Sequence, residues 1–118
     1  MIMTINEYQR LALRTESCTK FFTTNNLDRI LQGVMGLAGE SGECVDLVKK
    51  FIFQGHSLDS EHLMKELGDV AWYLALTADA IGCTLEEVLE TNIKKLESRY
   101  PDGKFEAGKS IYRKDGDV

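Results

Sequence analysis

Apolar positions recur at helical spacing along most of the chain, and the breaks between the runs fall where capping and turn residues cluster. Ile5, Tyr8, Leu11 and Ala12 share one helical face, directly after the capping box Thr4-Ile5-Asn6-Glu7. The pattern predicts a first helix ending near Cys18, and Asn25-Asn26 and Asp28 then mark a loop and a restart. Ile30, Leu31, Val34, Leu37, Ala38, Val45, Leu47, Val48 and Ile52 keep the period through a long second helix, about Leu27 to Phe53, which Gln54-Gly55-His56-Ser57 ends. Asp59 or Ser60 can cap a third helix reaching about Gly82. Thr84-Leu85-Glu86-Glu87 is a second capping box, opening a fourth helix that Pro101 closes. The expected fold class is therefore all-α, a four-helix bundle-like core over about residues 4–101 in one domain of 1–118. The tail from Asp102 to Val118, rich in Gly, Lys and Asp, is expected to gain order only from a partner subunit or a ligand.

The second helix carries Gly33, Gly36, Gly39 and Gly42 at every third position, although each glycine costs up to about 1 kcal/mol of helix propensity relative to alanine. Two explanations stand side by side. One is close packing against a neighbouring helix; the other is backbone clearance for a ligand beside the acidic residues that follow.

Those acidic residues form two pairs, Glu40-Ser41-Gly42-Glu43 on the second helix and Glu66-Leu67-Gly68-Asp69 on the third. At i,i+3 the two side chains of a pair are offset by only about 60° around the helix axis, so they face the same way. Both pairs are embedded in apolar sequence, Val34 to Ala38 with Cys44-Val45 around the first and Leu63-Met64 with Val70 to Leu74 around the second. An unpaired carboxylate near an apolar stripe is costly, and a shared hard cation relieves that cost. Glu40, Glu43, Glu66 and Asp69 are the candidate metal ligands.

With 118 residues, a net charge of −5 and a single proline, the chain is long enough to bury a core without staples and too acidic for broad binding to a phosphate backbone, so nucleic acid is not an expected partner. No apolar run is long enough to span a membrane and no signal-peptide pattern opens the sequence, so a cytoplasmic location is expected. Cys18, Cys44 and Cys83 have no CxxC spacing, suggest neither disulfides nor zinc, and read as small buried thiols. Lys94, Lys95 and Arg99 cluster after the acidic pairs, as if to hold a small anion such as a nucleotide phosphate beside a metal. Trp72-Tyr73 continues an apolar stripe and reads as core or subunit interface ahead of a base-stacking platform. Asp46 reads either as a support for the metal site or as an exposed partner of Lys49 or Lys50.

Three ordered motifs carry a family resemblance: Gly39-Glu40-Ser41-Gly42-Glu43, Lys65 to Leu74, and Asn92-Ile93-Lys94-Lys95-Leu96-Glu97-Ser98-Arg99-Tyr100-Pro101-Asp102-Gly103. Over roughly residues 30–105 the chain resembles the MazG-like nucleoside triphosphate pyrophosphohydrolases, whose ExxE and ExxD signature is met with 22 residues between the pairs. The resemblance implies an all-helical fold, assembly as a homodimer or homotetramer, and Mg²⁺-dependent cleavage between the α and β phosphates to give a nucleoside monophosphate and pyrophosphate. Mn²⁺ is the natural substitute ion. It also implies that Asn92, Lys95 and Arg99, at i, i+3 and i+7 on one face, hold phosphate or base. His62 stands four residues before Glu66, where longer relatives carry a lysine; phosphate contact and a structural or solvated role are both open for it.

No Ser/His/Asp or Cys/His nucleophile arrangement is evident, which suits direct attack by water. Glu43 and Glu66 are the candidate catalytic carboxylates, Glu43 able to serve as ligand or as base. Two other classes compete. A ferritin-like iron carboxylate protein needs ExxH, which neither pair has. A non-catalytic, metal-binding regulatory or interaction module would bind Mg²⁺ without turnover. Base and sugar preference, and a choice between house-cleaning of non-canonical nucleotides and control of a normal pool, stay open.

Overall fold

The computed structural model describes residues 2–17 and 26–118, and all regular structure among them is helical. The elements are α1 (Ile5–Leu13), α2 (Leu27–Phe53), α3 (Ser60–Ala80), α4 (Leu85–Arg99) and α5 (Ala107–Ile111). The all-α expectation holds, and the bounds of α2 coincide with those the periodicity predicts. Two compact units divide the chain, Met1–Leu85 and Glu86–Val118. Cys18 and Asn25 lie outside the described residues.

In the first unit, α1 begins as its capping box requires: the Glu7 N–H donates to Thr4 Oγ1 at 3.1 Å and the Thr4 N–H donates to the Glu7 carboxylate at 2.9 Å. The helix stops at Leu13, short of the predicted end. The cause is competition for the Ala12 carbonyl, which accepts from the Thr15 N–H at 3.1 Å, the Thr15 hydroxyl at 2.8 Å and Trp72 Nε1 at 2.9 Å. A continuing helix would give that carbonyl to residue 16 instead. The same bond to Trp72 ties α1 to α3, and Trp72 meets Tyr73 edge to face with centroids 4.9 Å apart.

Gln9 is the buried polar side chain of this unit, 6% exposed. Its Nε2 donates to the Ala75 carbonyl at 3.0 Å and its Oε1 accepts from the Leu85 N–H at 3.0 Å, so one amide satisfies an α3 carbonyl and an otherwise orphaned donor at the start of α4. Ala75 and Leu85, with Leu76, Ala78 and Ala80, form the buried apolar core among the described residues. Asn26 enters α2 in the left-handed region at φ 58°, and its side-chain amide donates to the Ala80 carbonyl at 3.3 Å. Arg29 donates to Glu16 at 2.7 and 3.0 Å and to Asp79 at 2.6 Å, joining α2 to the far end of α3.

The α2–α3 pair is the framework of the first unit. Asp59 caps α3 by accepting from the Glu61 and His62 N–H groups at 3.0 and 3.1 Å, so the chain turns back within residues 54–59. A Cβ built on Gly33 would collide with the Thr77 side chain, and one on Gly36 with the Tyr73 ring. Gly39 and Gly42 face open space among the described residues. The glycine row thus divides: its first half permits close helix packing, and its second half leaves backbone uncovered beside Glu40 and Glu43.

In the second unit the tail is ordered by contacts of its own, against the expectation that a partner or ligand is needed. Arg99 holds Asp117 through two hydrogen bonds of 2.7 and 2.6 Å, Tyr100 packs on Phe105 with centroids 5.6 Å apart, and α5 lies between Phe105 and Asp117 in sequence. Cys44 and Cys83 are half-buried rather than fully buried, and the Cys83 thiol donates to the Ala78 carbonyl.

Replacing Gly36 by alanine should destabilise the protein by about 1–3 kcal/mol through overpacking against Tyr73. Gly39→Ala, with open space for its methyl group, should instead stabilise by up to about 1 kcal/mol. Urea unfolding of both variants reads the two signs; equal effects would contradict the division of the glycine row.

Candidate metal centre

The register set at Gly33 and Gly36 continues toward the acidic pairs. Gly33 meets Thr77 and Gly36 meets Tyr73, so in this antiparallel pair the next turn of α2 comes opposite the next lower turn of α3. There Glu40, Glu66 and Asp69 converge, one carboxylate oxygen from each lying within 4.8 Å of the others. Two helices supply the three acids because each pair already faces one way at i,i+3 spacing.

Glu43 stands outside that group of three, exposed, one turn farther along α2. Its charge still reaches Glu40 on one side and Lys50 on the other. Asp46 takes no part in the group; it accepts from Lys50 at 2.7 Å and Lys49 at 3.2 Å, which hold its pKa below the usual carboxylate range. The surface-pair reading of Asp46 is the one that agrees with this geometry.

Glu40 pays electrostatically for its position. Its pKa is raised, first by loss of water, then by the charges of Asp69 and Glu66, by a hydrogen bond to Glu66, and by Glu43. Glu66 is only 17% exposed and is held at 3.1 Å by His62 Nε2, one turn earlier on α3. His62 therefore braces a member of the acidic group. The Ser41 hydroxyl between the α2 acids donates to the Leu37 carbonyl at 2.8 Å and so turns back to the backbone.

Tyr8 is a neighbour that the pattern of acids did not disclose. Packing of α1 on α3 brings it into the field of Asp69, and its pKa is raised by burial first and by Asp69 second. No local signal in sequence could have found it, because only the helix packing joins the two positions. Asn92, Lys95 and Arg99 lie on α4 in the second unit, where Arg99 pairs with Asp117.

The donor set fits a hard divalent cation. Oxygen ligands at about 2.1 Å from Mg²⁺ stand about 3 to 4 Å from each other, and side-chain rotation closes the small remaining gap. Three clustered carboxylates without thiol or imidazole among them suit a hard ion better than a soft one. Among the described residues this is the group of three acidic, His or Cys side chains with metal-ligating spacing.

Comparison with known proteins points the same way. The family model described as the MazG nucleotide pyrophosphohydrolase domain matches residues 31–104, which include all four candidate acids and Asn92, Lys95 and Arg99. The Gene 37 protein of Mycobacterium phage L5 is 31% identical over 105 residues, covering 86% of this chain and 92% of that protein. No solved structure matches the chain.

The raised pKa of Glu40 has a definite sign in stability. The folded state binds its proton more tightly than the unfolded state, so the penalty is absent below the ordinary carboxylate range and develops as pH rises through the raised value. Without divalent ion, Glu40→Gln should melt higher than the parent protein at about pH 7 and lose that advantage toward about pH 4. Mg²⁺ should raise the melting temperature of the parent more than that of the variant. Thermal melts measure this, and identical curves for the two proteins at neutral pH would contradict it.

Proposed function

This chain belongs to the MazG nucleotide pyrophosphohydrolase family, and on that premise we propose that it is a Mg²⁺-dependent hydrolase that cleaves nucleoside triphosphates between the α and β phosphates, releasing a nucleoside monophosphate and pyrophosphate. The observation that carries the proposal is the meeting of Glu40, Glu66 and Asp69 at one point of the α2–α3 pair, inside the matched residues. When bound, Mg²⁺ or Mn²⁺ would supply the positive charge that neutralises phosphate oxygens and lowers the pKa of water.

The chain's own residues then divide the work. Glu40, Glu66 and Asp69 hold the ion, with Glu66 kept in orientation by His62. Glu43, exposed and outside the group of three, is free to accept the proton of the attacking water or to add a fourth oxygen ligand. His62, half-exposed at the rim, is a phosphate contact as well as a brace. Asn92, Lys95 and Arg99 of α4 bind phosphate or base, the guanidinium of Arg99 able to grip two phosphate oxygens at once where Lys95 offers a point charge.

Apolar side chains of α2 remain uncovered in the chain itself, Val45 at 67%, Ile52 at 59% and Phe53 at 79% exposure. With Cys44 and Val48 they border a shallow apolar cleft. A homodimer or homotetramer would remove that surface from water. No helix among the described residues is long and apolar enough to cross a membrane, and the proposed setting is the cytoplasm, with free nucleotides as substrates.

A panel of canonical and modified nucleoside triphosphates with Mg²⁺ tests the reaction, with monophosphate and pyrophosphate measured separately. Equal release of both is expected; diphosphate with orthophosphate, or Mg²⁺ binding with no turnover of any substrate, would overturn the reading. Glu40→Ala, Glu43→Ala, Glu66→Ala and Asp69→Ala should each lower kcat/KM by about a hundredfold or more while circular dichroism keeps its helical form. Near-normal turnover in Glu66→Ala would remove the acidic group from the active site. Light scattering at micromolar concentration should give the mass of two or four chains.

A further inference from the structure

Arg99, the guanidinium assigned above to substrate phosphate, already grips an anion. Its Nε donates to Asp117 Oδ2 at 2.7 Å and its Nη2 donates to Oδ1 at 2.6 Å, the paired geometry with which a guanidinium holds either a carboxylate or a phosphate. Both side chains are well covered, 10% and 15% exposed, so the contact is shielded from water on most sides. Hydrogen bonding to Asp117 raises the Arg99 pKa, and Arg99 in turn holds the Asp117 carboxyl below its usual range.

The second cation assigned to phosphate is close by. The charge of Lys95 also lowers the pKa of Asp117, and a cleft of about 360 Å³ beside the pair is lined by Lys95, Ser98, Lys114, Asp115 and Asp117. Asp117 thus contacts one of the two α4 cations that the reaction is proposed to use and lies within the electrostatic reach of the other. It also lies beyond residue 104, where the family match ends, so the contact joins a matched residue to a segment outside the match.

We propose that Asp117 is a built-in competitor of the substrate: its carboxylate occupies Arg99 in place of a phosphate, and nucleoside triphosphate binds by displacing the tail. The proposal rests on the reading of Arg99 as a phosphate-binding residue. A triphosphate can displace the carboxylate because it brings more negative charge and more acceptor oxygens. Residues 111–116 are exposed, so lifting the tail uncovers little apolar surface there. Apparent affinity is the intrinsic affinity multiplied by the fraction of molecules in which Arg99 is free, and the returning carboxylate helps to expel pyrophosphate after each turnover.

Steady-state kinetics of Asp117→Asn, Asp117→Glu, Arg99→Ala and the Asp117→Asn/Arg99→Ala double variant provide the test. Asp117→Asn should lower KM and the inhibition constant for pyrophosphate together by about threefold to tenfold, with kcat within about twofold. Asp117→Glu, which keeps the charge, should retain KM near that of the parent protein. In the Arg99→Ala background, Asp117→Asn should leave KM unchanged. A chain ending at Lys114 should reproduce the lowered KM, which keeps the test open should a point variant misfold. If Asp117→Asn leaves KM unchanged or raises it while Arg99→Ala lowers kcat/KM, the pair positions Arg99 or merely clasps the tail, and the competitor proposal is overturned. If Arg99→Ala leaves kcat/KM unchanged, the reading of Arg99 itself falls and the proposal falls with it.

Discussion

The close approach of α2 and α3 at Gly33 and Gly36 is the constraint on which the candidate site depends. Thr77 and Tyr73 occupy the space where side chains would otherwise stand, so the two helices can settle in one antiparallel register and not in one displaced by a turn. Glycine in a helix interior is unfavourable by itself, at about 1 kcal/mol per residue. Packing of the Tyr73 ring and the Thr77 side chain against bare backbone offsets that loss, and Trp72 and Gln9 fasten α1 to the same helix.

This register sets three carboxylates against each other, an arrangement the protein alone would avoid. The ion pairs among the described residues are of the opposite kind: Arg29 with Glu16 and Asp79, Lys50 with Asp46, Arg99 with Asp117. Glu40, Glu66 and Asp69 lack a lysine or arginine in that role among the ion pairs of the described residues, and the basic side chain that reaches Glu66 is His62. Repulsion concentrated at one point and sustained by packing elsewhere is what makes this group the candidate cation site of the described residues. In an acidic group of this type the stability lost in the metal-free state is recovered as affinity for the ion.

The cation-handling and anion-handling groups of the proposed reaction differ in how the structure treats them. On α2 and α3 the acids are left to repel each other, ready for positive charge. On α4 the cation Arg99 is already neutralised by Asp117, a residue of the tail whose composition suggested order only through a partner subunit or a ligand. Charge-assisted, two-point hydrogen bonding accounts for the difference, since a short segment with little apolar content can still be ordered by one well-covered guanidinium.

Much was legible in the chain itself because it was local. Helical periodicity and capping chemistry determined α2 and the starts of α1 and α3, and i,i+3 spacing determined that Glu40 with Glu43, and Glu66 with Asp69, share a face. What depends on contacts between distant segments was not legible. Trp72 shortens α1 by bonding the Ala12 carbonyl, and the α1–α3 packing brings Tyr8 toward Asp69. Gly33 and Gly36 pack where Gly39 and Gly42 stay open, although all four recur at the same interval. Glu40 meets Glu66 and Asp69 while Glu43 stays outside, although four acids in two equal pairs look alike in sequence. Periodicity assigns each residue to a face of its own helix, but only the distance and register between helices decide which residues of two faces touch.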